Sequence, residues 1–142
     1  MKTRKLGDTD LEMTIIGFGT WAIGGGNWGM GWGDQDERDS IAAIHEGLDQ
    51  GINWIDTAHA YGFGESEEVV GKAVREYDGD VIVATKCGVL ANGDRSPYRL
   101  ISRKTIQEEV EGSLRRLQTD CIDLYQLHWP EPQENIEEGW QT

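Results

Sequence analysis

The sequence predicts an α/β protein, the first half of an eight-stranded (β/α)8 TIM barrel: a hairpin and then about four strand–helix units. Three observations carry this. Short β-branched runs alternate with amphipathic stretches at helical spacing, which implies a parallel sheet with right-handed crossovers. A hairpin precedes the first of those strands, where it would plug a barrel floor. Reactive side chains stand at the C-terminal ends of successive strands, the rim on which barrel sites are built.

Residues 3–13 read as two short strands around a Gly7–Asp8 turn. The run Thr14 to Phe18 reads as a buried strand, and a glycine- and tryptophan-rich loop extends from Gly19 to Asp36. Asp36 or Asp39 caps a helix in which Ile41, Ile44 and Leu48 recur at helical spacing, and Gly51 closes it. Ile52–Thr57 is the second strand. After a loop to Glu65 or Ser66 comes a helix with Val69, Val70, Ala73, Val74 and Tyr77 on one face. Val81–Thr85 is the third strand, followed by a polar loop through Asn92, Gly93, Asp94 and Pro97. Ser102 caps a helix whose buried stripe is Ile106, Val110, Leu114 and Leu117. Ile122–Leu127 is the fourth strand, Pro130 and Pro132 break the chain, and a further helix opens near Asn135.

The strands are apolar on both faces, as in a sheet covered on both sides. An open sheet of flavodoxin type shows the same alternation. A barrel needs about 250 residues, of which the 142 here are about half, and the chain stops inside its last helix. The expectation is therefore one domain, residues 1–142, forming the N-terminal half of a single barrel. Its two open sheet edges and apolar interior predict self-association, or pairing with a missing C-terminal half.

Acidic residues outnumber basic ones 26 to 13, for a net charge of −13. Such a surface repels nucleic acid and anionic membranes. A phosphate-bearing ligand would need a local cluster of cations, and few are on offer. Cys87 and Cys121 show neither CxxC nor metal-ligand spacing and read as buried free thiols in a reducing compartment. The N-terminus turns polar too early for a signal peptide, and no run approaches the roughly 18 apolar residues of a membrane span. The expectation is a soluble cytoplasmic protein.

The second strand ends in Asp56, with Tyr61 in the loop beyond it; the third ends at Lys86 and the fourth at His128. On a barrel rim these ends lie side by side, so a carboxylate, a phenol, an ammonium and an imidazole converge. The set suits carbonyl reduction. A carbonyl that receives a hydride needs a proton on its oxygen, and a free phenol, titrating near 10, is a reluctant acid. An adjacent ammonium stabilises phenolate, and a carboxylate keeps that ammonium charged and placed. An imidazole can hydrogen-bond the carbonyl oxygen and fix its approach. Tyr61 is then the general acid, Lys86 its tuner, Asp56 the anchor of Lys86, and His128 the orienting group. Singly, each has an ordinary structural explanation; jointly, on three successive strand ends, they point to a site.

Several longer motifs add to this. Gly17-Phe18-Gly19-Thr20-Trp21, Asn53 through Gly62, Glu65-Ser66-Glu67 with Val70-Gly71, Ala84-Thr85-Lys86, Ser113 through Leu117 and Asp120 through His128 occur in order across essentially the whole chain. In these segments the sequence resembles the aldo-keto reductase family. The resemblance implies a (β/α)8 barrel, NADPH as hydride donor, small aldehydes or ketones as substrates, and a catalytic tetrad of Asp56, Tyr61, Lys86 and His128. It also implies that Thr20 and Trp21, with Asp56, lie against nicotinamide or substrate. Trp28, Trp32 and Trp129 are further candidates for an aromatic substrate wall. Members of the family run to about twice this length, and their strands five to eight supply most contacts to the cofactor's phosphates and adenine. The resemblance therefore implies a complete tetrad beside an incomplete cofactor site, and does not by itself imply turnover by these residues alone.

Three other readings compete. Gly17-Phe18-Gly19-Thr20-Trp21-Ala22 fits a dinucleotide fingerprint, but that motif needs a helix to begin at its glycines, and Ile23-Gly24-Gly25-Gly26-Asn27-Trp28-Gly29 is a poor helix start. A binding or regulatory module, or a non-catalytic fragment with the reductase fold, would keep the architecture without turnover. A metal site from His45, His59 and His128 is disfavoured by their spacing.

Overall fold

The structure, a computed structural model, describes residues 1–26 and 28–142, so Asn27 of the glycine-rich run lies outside the described residues. Strands β1 (Thr3–Lys5) and β2 (Glu12–Thr14) form the expected antiparallel hairpin. Strands β3 (Phe18–Gly19), β4 (Trp54–Asp56), β5 (Ile82–Cys87) and β8 (Leu124–Leu127) form one all-parallel sheet in that order. Helices α1 (Glu37–Asp49), α2 (Glu65–Glu76), α3 (Arg103–Leu117) and the short α4 (Ile136–Trp140) follow the four strands in turn. Neighbours in sequence are neighbours in the sheet, as in the staves of a barrel.

The hairpin is locked to the start of β4. Asn53 accepts from the Thr14 amide through Oδ1 at 2.8 Å and donates through Nδ2 to the Glu12 carbonyl at 2.8 Å. The Trp54 indole donates to the Thr14 carbonyl at 3.0 Å. These bonds seat the hairpin at the N-terminal ends of the strands, away from the reactive side chains.

The first strand is shorter than its apolar run suggested. Thr14 is taken by the hairpin, where it pairs with Thr3. Its hydroxyl then donates to the Ile16 carbonyl at 2.7 Å and bends the chain. Gly17 lies so close to the Trp54 ring that a Cβ there would sit 2.2 Å from it. Ile15 and Ile16 are consequently exposed, not buried. β-branched residues mark a strand only when a partner edge is free at that register.

The main core lies between the sheet and the helices, where Ile44, Leu48, Ile55, Val69, Val70, Ala73, Val83 and Leu117 are buried together. Each large aliphatic group contributes about 1.5–3 kcal/mol by leaving water. Helix α1 starts as anticipated at Asp36, whose Oδ1 accepts from the Arg38 and Asp39 amides. Helix α3 starts at Ser102 in a reciprocal capping box with Thr105. Its buried face is rotated from the expected stripe: Glu109, Gly112 and Ser113 join Ile106 and Leu117, while Val110 and Leu114 are half-buried.

Two further expectations are corrected. The polar segment after β5 folds into an antiparallel hairpin, β6 (Val89–Ala91) and β7 (Pro97–Arg99). Cys87 is buried, but Cys121 is exposed, because it lies in the turn between α3 and β8. Among the described residues no helix is long and apolar enough to cross a membrane.

Candidate active site

The site is assembled from strand ends. Asp56 is the last residue of β4, Lys86 the penultimate residue of β5, and His128 follows β8, its amide bonded to the Cys87 carbonyl at 2.8 Å. Tyr61 opens a tight turn, Tyr61–Gly64, in which Gly62, Phe63 and Gly64 all have positive φ. A phenylalanine at φ +53° costs of order 1 kcal/mol and persists only where its surroundings impose it. Arg95, in the turn of the β6–β7 hairpin, is part of that imposition. Its Nη2 donates to the Gly62 carbonyl and to Glu65 Oε1, each at 3.2 Å, and its guanidinium lies 5.7 Å from the Phe63 ring centroid.

The four predicted side chains meet. Lys86 Nζ lies 2.7 Å from Asp56 Oδ1 and donates to the Tyr61 hydroxyl oxygen at 3.2 Å and to the Thr57 carbonyl at 2.9 Å. The ammonium thus makes two hydrogen bonds and one ion pair, in a setting where the lysine side chain is 14% exposed. The His128 ring stands edge-on to the Tyr61 ring, centroids 5.7 Å apart and planes at 82°. Burial, then the Lys86 charge, pushes the His128 imidazole down to about 4, so it is neutral near pH 7.

A cavity of about 180 Å³ opens in front of this group, walled by Trp21, Trp28, Met30, Tyr61, His128 and Trp129. The Trp21 and Tyr61 rings stack at 6.4 Å with a 20° tilt. The Trp21 indole donates to the Met30 carbonyl, and that of Trp28 to the Gly25 carbonyl. Trp129 is held from the other side: the Arg99 guanidinium lies 4.4 Å from its ring centroid, and Nη1 donates to both Glu131 carboxylate oxygens at 2.9 Å. Trp32 lies farther out, 75% exposed, with its ring 6.4 Å from Trp21.

Thr20, expected to lie against nicotinamide or substrate, turns its side chain away from the cavity. Its side chain is fully buried, its hydroxyl donates to the Asp56 carbonyl at 3.0 Å, and it accepts from Ser66 at 2.8 Å. The strand before it is so short that Thr20 continues the sheet and faces the helices. The segment Gly17–Ala22 passes from strand to turn, and a 3-10 turn (Ala22–Gly24) stands where a dinucleotide fingerprint requires an α-helix. Among the described residues no three His, Cys, Asp or Glu side chains gather as a metal site.

Sequence reasoning missed the supports of this group: Arg95, Arg99 and Glu131 in front, and buried Ser66, Glu67, Thr85 and Glu109 behind. Arginines in a polar loop and acids in the first turn of a helix have ordinary surface explanations. Only the tertiary fold separates the two cases.

Comparison with known proteins identifies the family. The model of the aldo/keto reductase family matches residues 15–142. The chain is 53% identical over 140 residues to the aldo-keto reductase YhdN of Bacillus subtilis, covering 97% of this chain and 41% of that protein. It is 44% identical to the NADH-specific methylglyoxal reductase of Escherichia coli, covering 91% and 42%. Among solved structures, the holo form of aldo-keto reductase AKR11C1 from Bacillus halodurans superposes with a TM-score of 0.86 at 39% identity, over 99% of this chain and 44% of that one. An aldo-keto reductase from Klebsiella pneumoniae in complex with NADPH superposes at 0.68 and 31% identity, over 92% and 41%. The chain spans about two fifths of the length of the curated relatives it matches. Its four parallel strands and their helices are half of a (β/α)8 barrel, and the chain belongs to the aldo/keto reductase family.

Proposed function

We propose that these residues form the N-terminal half of one barrel domain and carry the acid–base centre for NADPH-dependent reduction of small aldehydes and ketones. The observation that supports this most is the single ammonium, Lys86, in contact with both Asp56 and Tyr61 at the mouth of an aromatic cavity. Tyr61 protonates the carbonyl oxygen. Lys86 stabilises the phenolate left behind, because the unlike charges are close and largely shielded from water. Asp56 holds Lys86 in place through their ion pair. His128, neutral near pH 7, directs the carbonyl oxygen toward the Tyr61 hydroxyl. Trp21, Trp28 and Trp129 receive the apolar body of the substrate.

When bound, the nicotinamide supplies the hydride. The residues present fit its reacting end: a flat aromatic wall at Trp21 beside the Asp56–Lys86 pair. They do not offer its phosphates a cradle, since Lys86 and Arg99, cations that touch the cavity walls, are each engaged by a carboxylate. The open edges of β3 and β8, each hydrogen-bonded to one strand of the sheet, are where the remaining staves or a second copy would pair.

Titration of the chain with NADPH, and separately with NADH, tests the reading through quenching of tryptophan fluorescence. Saturable quenching by NADPH that weakens in Trp21→Leu is expected. Unsaturable quenching by both, in a chain shown folded by circular dichroism, would contradict a cofactor site built on these residues.

A further inference from the structure

Behind the site, on the side of the sheet covered by helices, three threonines stand at one level. The register pairs Gly19 with Asp56 and Asp56 with Ala84, so Thr20, Thr57 and Thr85 are the next position along three adjacent strands. Side chains alternate along a strand: Asp56 and Lys86 point into the barrel, and the threonines point out. All three threonines are fully buried.

Their hydroxyls converge on two adjacent residues in the first turn of α2. Ser66 Oγ lies 3.1 Å from Thr57 Oγ1 and reaches Thr20 Oγ1 at 2.8 Å and the Thr20 carbonyl at 3.0 Å. Thr85 donates to Glu67 Oε1 at 2.6 Å, and Arg116 of α3 donates through Nε to Glu67 Oε2 at 2.7 Å. Ser66 and Glu67 are themselves fully buried. The bonds continue to the front of the sheet: Thr20 donates to the Asp56 carbonyl, and the Thr57 carbonyl accepts from Lys86 Nζ.

A carboxylate at zero exposure is costly even when paired, and an apolar residue of similar size often serves stability as well. A network of this kind does confer a fixed geometry. We propose that Ser66 and Glu67 are positioning residues for Lys86, clamping the ends of β3, β4 and β5 from behind so that the ammonium is held between Asp56, Thr57 and Tyr61. The proposal rests on the reading of Lys86 as part of the acid–base centre. A misplacement of about 1 Å at a reacting group can cost about a hundredfold in rate, which is the scale of effect a clamp of this kind controls.

The test reads Lys86 directly. In a chain carrying isotope-labelled lysine, the Lys86 ammonium resonance is assigned by its absence from Lys86→Arg. Two hydrogen bonds, an ion pair and low exposure predict a slowly exchanging, resolved signal in the wild type. In Ser66→Ala, Glu67→Gln and Thr85→Val, exchange is expected to be at least about tenfold faster, the scale of one lost hydrogen bond. Thr85→Ser restores the signal, and the core variant Leu48→Ala, though less stable, keeps it. Folded Thr85→Val and Glu67→Gln chains with the wild-type signal would overturn the proposal. Unfolding of Thr85→Val, which keeps the shape of threonine, would also overturn it by making the bond an element of stability alone. A signal that responds as expected in a chain whose carbonyl reduction does not depend on Tyr61 would count against the proposed function and leave the clamp standing.

Discussion

The two faces of β5 differ in how their polar groups are satisfied. On the helix side, Thr85 is fully buried and bonded to a carboxylate that is fully buried too. On the interior side, Lys86 bridges partly exposed Asp56 and half-buried Tyr61 beside a cavity. The back is dry and closed, the front open and charged. Groups that hold a shape are placed where water cannot compete, and the groups proposed to meet a substrate are placed one residue away, beside the cavity.

The comparison predicts a graded set of effects. The largest belongs to the front: Tyr61→Phe should lower carbonyl reduction about 10²–10⁴-fold while leaving the unfolding midpoint nearly unchanged. Kinetics beside denaturant melts will show whether chemistry and stability separate. Next come the apolar groups behind the sheet. Ile55→Ala, at a fully buried position of β4, should destabilise by about 2–5 kcal/mol in urea unfolding.

Glu109 gives a smaller effect with a definite sign. Its carboxylate accepts the Gly88 amide through both oxygens, and burial raises it from 4.5 to about 7. The folded chain therefore binds a proton that the unfolded chain has released between those values, and stability falls as pH rises across that window. Glu109→Gln, which keeps an acceptor for Gly88 without the charge, should flatten this slope and be more stable than wild type by about 3 kcal/mol at pH 8. Equal slopes in the two chains would mean that Glu109 titrates as an ordinary surface acid. His128 runs the other way. Held neutral down to about 4, it favours the folded chain above the usual histidine range, and that contribution is lost as pH falls from 6.5 toward 4. The smallest effect is at the cavity rim. Arg99→Ala removes a half-exposed ion pair worth at most about 1 kcal/mol, yet it frees Trp129. KM for an aromatic aldehyde should rise a few-fold, about 1 kcal/mol, with kcat held; an unchanged KM would remove Trp129 from the substrate wall.

Much of the front was legible in the sequence and little of the back. Asp56, Lys86 and His128 could be placed because strand ends follow from hydrophobic runs, and parallel strands bring their C-terminal ends to one rim. Asp36 and Ser102 were readable as caps because capping is local. The burial of the Thr20 side chain was not legible, because which face a residue takes depends on register, and β3 is two residues long. Glu67 and Glu109 were invisible as core residues because acids on a helix are read as solvated. The β6–β7 hairpin was hidden because its strands are three residues each and largely exposed, so no alternation marks them.

Hydride transfer tests the central claim most directly. Deuterated NADPH and an aromatic aldehyde are incubated with the wild-type chain and with Tyr61→Phe, and deuterium in the product alcohol is measured. The account predicts transfer by the wild type at least about a hundredfold above Tyr61→Phe. Equal transfer by the two chains, at any level, would contradict it.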